Sequence, residues 1–113
     1  TFFVEEKYKE KINTIKTTVK NSYFPEHLVQ SHLKNPFLVI ALGKKLHSAI
    51  SINNGVMHML GLAGTKTAIF FDENSDKFKP LDSTKSKIYN SSNNKETKDL
   101  SPKDVINFVS DFI

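Results

Sequence analysis

Between residues 48 and 71 the chain reads "SAISINNGVMHMLGLAGTKTAIFF", and no other stretch limits the fold as much. "SAISI" (48–52) is an apolar run of strand length, "NNG" a tight turn and "VMHMLGLAG" a short helix rich in small residues. "TKTAIFF" (65–71), with β-branched and aromatic residues, is predicted as the next strand. Two strands joined through a helix do not make a hairpin. They are expected to lie parallel, with a right-handed crossover, and "SAISI" to be central in the sheet.

The flanking sequence continues the alternation. "TFFV" (1–4) is an apolar run suited to a buried strand, and "EEKYKEKINTIKTTVKN" follows it. Tyr8, Ile12, Ile15 and Val19 form one stripe of an amphipathic helix, with Glu5 and Glu6 in its first turn, where the helix dipole favours acids. Residues 22–36, punctuated by Pro25 and Pro36, are read only as a strand or loop followed by a helical turn. "FLVIALGKKL" predicts a short, mostly buried helix ending near His47. In the helix after "NNG", Val56, Met59, Leu60 and Ala63 are expected to face the sheet, with Gly61 allowing close approach.

Residues 72–99 read as a polar surface excursion, with "SKIYN" (86–90) as an edge strand. Ser101, Pro102 and Asp104 open a final helix as cap, first residue and capping-box partner. Val105, Val109 and Phe112, with Ile106 and Ile113, are its expected buried face. The resulting expectation is an α/β fold: a Rossmann-like parallel sheet with helices on both faces, in one domain spanning 1–113. The chain starts at Thr1 rather than Met, and a piece of a longer protein is expected.

Composition narrows the function classes. The chain of 113 residues suits one core, and it has no Cys, so disulfides and Cys-ligated zinc are excluded. Its longest apolar run, residues 37–42, is far short of the roughly 20 residues of a membrane span. The net charge of +4 rests wholly on lysine, and arginine is absent. Lysine acts as a point charge rather than a bidentate clamp, so the excess reads as a solvated surface or as general affinity for anions.

In open parallel sheets, ligands bind beyond the carboxyl ends of the strands. There the chain delivers Asn53, Asn54 and Gly55, and then the start of a helix whose first amides are unpaired donors. Gly55 permits positive φ and leaves the backbone open to a ligand, Asn54 can cap, and Asn53 offers an amide to a sugar hydroxyl or a phosphate. Val56 adds a backbone amide, and His58 can donate to a phosphate oxygen. The plainer reading is a capped turn with a half-buried histidine.

"ISINNGVMHMLGLAGTKTAIFF" resembles the donor-site segment of the heptosyltransferases, glycosyltransferase family 9, which have the GT-B fold. That family carries an Asp-(Ser/Thr)-Gly-x-x-His turn between a strand and a small-residue helix. Gly55, Met57 and His58 match; Asn53 stands for the Asp, Asn54 for the Ser/Thr, and Asp72 for a Gly after the next strand. The similarity is strongest over residues 46–71 and weaker over the helices opening at Glu5 and Ser101.

The resemblance implies the C-terminal, nucleotide-sugar-binding half of a transferase that moves a sugar from a nucleoside diphosphate, ADP-linked in that family, to an acceptor hydroxyl. Residues 53–58 would hold the pyrophosphate, which gains negative charge in the transition state. Glu5 or Glu6 falls near where the family places an acid on the ribose, and Asp72 and Glu73 could touch the sugar. The family's general base and phosphate-binding lysine lie upstream, mostly in an N-terminal acceptor domain, so this chain alone is expected to be inactive. A cytoplasmic location follows, peripheral at the inner membrane face where the acceptor is lipid-linked, as in lipopolysaccharide synthesis. The alternative is a non-catalytic α/β interaction or anion-binding domain.

Other patterns point less far. His27 and His32 are five apart, a poor spacing for two ligands on one helical face, and no metal or cofactor is expected. Ser48 and Ser51 have no neighbouring base. Asp72, Glu73 and Asp76 read first as a solvated loop. Lys85, Lys87, Lys95 and Lys98 around Tyr89 lack any RNA-binding motif, so nucleic acid is not expected as the partner.

Overall fold

In the computed structural model the described residues are 1–28, 35–72, 85–91 and 95–113. They form two compact units, residues 1–35 and 36–113. The expectations that fall on residues 29–34, 73–84 and 92–94, those for His32, Glu73 and Asp76 among them, lie outside the described residues.

The first unit holds helix α1, Lys9–Thr18, and a 3-10 turn, Pro25–His27. Ile12 is the buried residue of α1; Tyr8 sits at the N-cap and Val19 is exposed. Glu5 and Glu6 are not in the first helical turn. The Tyr8 amide donates to the Glu5 carbonyl (3.0 Å), which makes a tight turn ahead of the helix, and Glu10 takes the dipole position instead. The "TFFV" segment is not a strand either. The Phe2 amide donates to the Tyr23 carbonyl (2.8 Å), and no strand ladder is built on that bond among the described residues. Phe2 stacks on buried Phe24 (5.5 Å between ring centres), so its apolar character serves side-chain packing.

The second unit is α/β. Strands β1 (Ala49–Ile52), β2 (Thr67–Phe71) and β3 (Ser86–Asn90) form a parallel sheet in the order β1-β2-β3. Parallel register pairs Ser51 with Ile69 and Ile52 with Phe70, then Ile69 with Ile88 and Phe70 with Tyr89. The middle strand is β2, every residue of which is buried; β1, expected to be central, has β2 as its strand partner among the described residues. Its Ile50 and Ile52 are 54% and 58% exposed, a consequence of that edge position.

Alternation along β2 distributes the packing between two faces. Ile69 and Phe71 meet Met57 of α3 (Gly55–Ala63), and Ile88 joins them. The buried face of α3 is Met57 and Leu60; of the expected set Leu60 is buried, Val56, Met59 and Ala63 are half-buried, and Met57 takes the core position instead. On the opposite face Phe70, Tyr89 and Phe108 form a ring triad with centres 5.2–5.5 Å apart. Phe108 belongs to α4, Pro102–Val109. It was absent from the expected face of α4, while Ile106 and Ile113 are exposed. Lys87 Nζ reaches across from β3 to donate to the Phe108 carbonyl (2.7 Å) and to Asp111 (2.6 Å). The same side chain lies over the Phe108 ring, 4.7 Å from its centre.

Helix α2 runs Pro36–Gly43 and stops there, short of His47. The Lys45 and Leu46 amides close its end by donating to Leu42 and Gly43 (2.9 and 3.1 Å). The tight approach in this unit is between α2 and α3, at Gly43. A Cβ there would stand 2.8 Å from that of Ala63, and the buried Thr65 hydroxyl donates to the Gly43 carbonyl (2.8 Å). Gly43→Ala is therefore expected to destabilise the protein by about 1–3 kcal/mol in urea unfolding, the usual range for overpacking.

The capping box of α4 is present as read from sequence. The Ser101 amide donates to the Asp104 carboxylate (2.9 Å) and the Asp104 amide donates to the Ser101 hydroxyl (3.2 Å). The Ser101 backbone bond first, then the Ser101 side chain, hold the Asp104 carboxyl below its ordinary pKa. A carboxyl that is more acidic when folded stabilises above its unfolded pKa, and that contribution is lost as pH falls towards the folded value. The Tm difference between wild type and Asp104→Asn should be largest above about pH 5 and shrink to nothing towards about pH 2.

Candidate functional site

Because the strands are parallel, Ile52, Phe71 and Asn90 all end at one edge of the sheet. Asn53, Asp72 and Ser91 are the first residues beyond them. The structure therefore brings the 53–58 turn and Asp72 to the same edge, on adjacent strands. Glu5 and Glu6 belong to the other unit, where the Glu5 carboxylate pairs with Lys7 at 2.9 Å. Glu73 is outside the described residues.

The turn after β1 is short because Asn54 can end one element and begin another. Its backbone is extended (φ −157°, ψ 179°), and its side-chain oxygen accepts from the Met57 amide at 3.1 Å, capping α3. The amides of Gly55 and Val56 precede any carbonyl the helix could offer them, so they remain donors directed beyond its N-terminus. Asn53, Asn54, Gly55 and His58 are exposed and Val56 is half-buried, giving solvent access from the turn to the start of the helix. His58 was expected to be half-buried in the plainer reading; its exposure leaves the imidazole accessible.

Gly55 does not use the conformational freedom expected of it. Gly64, the C-cap of α3, is the described glycine with positive φ (72°), and Gly55 is the first helical residue. A Cβ on Gly55 would meet little, with Met59 Cε 4.0 Å away. The open space in front of its backbone is the feature a ligand could use. Asp72 is more committed. Its carbonyl accepts from the Ser91 hydroxyl (2.9 Å) and its carboxylate from the Thr97 amide (3.2 Å), which ties the ends of β2 and β3 to the following 3-10 turn, Thr97–Asp99. Sequence reasoning missed Ser91 and Thr97, since neither belongs to a motif and their partner lies at least 19 positions away. Beside this tie the Thr97 hydroxyl is buried, with no hydrogen-bond partner among the described residues.

His27, weighed as a ligand, places Nε2 2.7 Å from the Val4 carbonyl within the first unit. Among the described residues no group of three His, Asp or Glu side chains gathers to hold a metal. No helix of the described residues is long and apolar enough to cross a membrane.

The fold and this edge define an α/β protein with a three-stranded parallel sheet and an exposed helix N-terminus beyond the carboxyl end of β1. Compared with models of known protein families, with curated proteins and with solved structures, the chain has no match.

Asn54 carries the local architecture, so Asn54→Ala should cost about 1 kcal/mol in urea unfolding, as cap removal usually does. Asn54→Asp and Asn54→Ser should keep most of that stability, since each retains a side-chain acceptor.

Proposed function

We propose that this chain is a Rossmann-like, nucleotide-sugar-binding half of a GT-B sugar transferase similar to the heptosyltransferases. The observation that carries the reading is the turn at 53–55: exposed, beyond the carboxyl end of a parallel strand, and opening a helix capped by Asn54. A pyrophosphate bridge suits such a place, because two adjacent backbone donors and the positive end of α3 converge on one anion.

The roles divide as follows. Asn54 holds the helix start in place through Met57. The Gly55 and Val56 amides take the pyrophosphate oxygens, His58 adds a donor, and Asn53 binds a sugar hydroxyl or a phosphate. The departing nucleoside diphosphate gains charge as the glycosidic bond breaks, and these donors stabilise it more than the intact donor. Asp72, already holding the Thr97 amide, serves mainly to order the edge beside the sugar. The acceptor and the base that deprotonates it would come from an N-terminal domain, and the acceptor would be lipid-linked or part of a lipopolysaccharide. The partner reading ends at a nucleoside diphosphate-sugar, which is substrate and not cofactor.

The test is an NMR titration of the labelled protein with ADP, UDP, GDP and their sugar conjugates, following the amides of residues 53–59. Selective shifts there with one nucleoside diphosphate are expected. Asn53→Ala and His58→Ala should each weaken binding about five- to tenfold, the range for one lost hydrogen bond. Gly55→Ala should leave stability unchanged or raise it by up to about 1 kcal/mol, because the position is helical and open, yet reduce binding by crowding the anion. Unchanged spectra at millimolar nucleotide would favour the non-catalytic α/β interaction domain instead.

A further inference from the structure

Asn54 is the one asparagine of the chain that is followed by glycine. Asparagine is among the chemically labile residues. Its side-chain carbonyl is open to attack by the backbone nitrogen of the next residue wherever nothing shields that nitrogen. Gly55 has no side chain to shield it, and both residues are exposed. Met59 Cε stands 4.0 Å from where a Cβ of Gly55 would lie, so the approach is open.

The fold adds to this chemistry. Gly55 is the first residue of α3, so its amide has no helical carbonyl to donate to. The positive end of the helix dipole favours loss of the proton on that nitrogen. The Asn54 side-chain oxygen accepts from the Met57 amide at 3.1 Å. That oxygen gains negative charge when its carbonyl is attacked, so the cap bond also serves as an oxyanion donor. Other asparagines lack the setting. Asn13 and Asn107 lie inside α1 and α4, where the next amide is occupied by the helix, and Asn53 precedes a residue that carries a side chain.

We propose that Asn54 is a modification site: it deamidates spontaneously through Gly55, changing the charge and the cap of the 53–58 turn. The Gly55 nitrogen gives its proton to a solvent base and bonds to Asn54 Cγ. The side-chain nitrogen takes up a proton and leaves as ammonia, and a cyclic imide remains. Water then opens the imide. Cleavage between nitrogen and Cγ gives aspartate, whereas cleavage between nitrogen and the main-chain carbonyl carbon gives isoaspartate. The net change is water gained and ammonia lost, with nothing oxidised or reduced. Aspartate keeps a capping oxygen but sets a negative charge beside the Gly55 and Val56 amides. Isoaspartate also carries that charge, lengthens the main chain by a methylene and moves the capping oxygen away from Met57. Both products oppose an anion at this turn, a consequence that rests on the nucleotide-sugar reading; the reaction itself does not.

Peptide mass mapping of the full chain after incubation in mildly alkaline buffer tests it, with isoaspartate detected by enzymatic methylation. Conversion at Asn54 should be at least about tenfold faster than at Asn13, Asn53 or Asn107. It should rise with pH, because the attacking nitrogen must lose a proton. Gly55→Ala should slow it about tenfold or more, and Asn54→Ser should abolish it while keeping the cap. Aged wild type should show a second population that unfolds at lower urea, as Asn54→Ala does, and aged Asn54→Ser should not. An unmodified Asn54 in the folded chain, conversion confined to urea-unfolded protein, or an equal rate in Gly55→Ala would each overturn the proposal. Nucleotide titration of fresh and aged samples separates the two readings. Binding about tenfold weaker in the aged sample is expected. No shifts in the fresh sample, with conversion at Asn54 as described, would overturn the nucleotide-sugar reading and leave the modification site standing.

Discussion

The larger unit depends on the complete burial of β2. Each of its five residues is buried, with a strand on either side, Met57 of α3 on one face and Phe108 of α4 on the other. Burying an Ile or Phe side chain is worth about 1.5–3 kcal/mol, whereas an exposed ion pair gives about 0–1. Ile69, Phe70 and Phe71 therefore supply the attraction, and the Lys87–Asp111 pair contributes mainly orientation. The three strand ends are aligned by the same arrangement, so the position of the 53–55 turn is inherited from the core.

Local signals were legible in the sequence, and partner choice was not. The parallel β1-α3-β2 unit followed from an apolar run, an Asn-Asn-Gly turn and a second apolar run, all within residues 48–71. The Ser101–Asp104 box was readable because both partners sit three residues apart. On α3, Leu60 was read correctly and Met57 was missed, because Val56, Met57, Met59 and Leu60 offer apolar side chains on adjacent helical positions. For α4, Phe108 packs on Phe70 and Tyr89, residues of two other elements, and no periodicity within the helix reveals that.

The candidate site was legible to a similar depth. Asn54 as a cap and residues 53–55 beyond a strand end are consequences of short-range chemistry, and both are in the structure. The commitment of Asp72 to Ser91 and Thr97 arises from non-local contacts that only the folded sheet creates. Gly55 shows a different limit. A glycine in a turn invites a reading of positive φ, but the cap geometry at Asn54 lets the helix begin immediately, so what the residue provides is access to its backbone.

The exposed isoleucines of β1 have a consequence for the chain's behaviour at high concentration. A strand with one strand partner among the described residues and two uncovered β-branched side chains is a template for a further strand. No lysine lies within β1 to discourage such pairing by charge repulsion. Association would proceed sheet to sheet through backbone bonds, with the protomers still folded, and would grow with protein concentration. The shortness of the strand, four residues, keeps each such encounter weak and reversible.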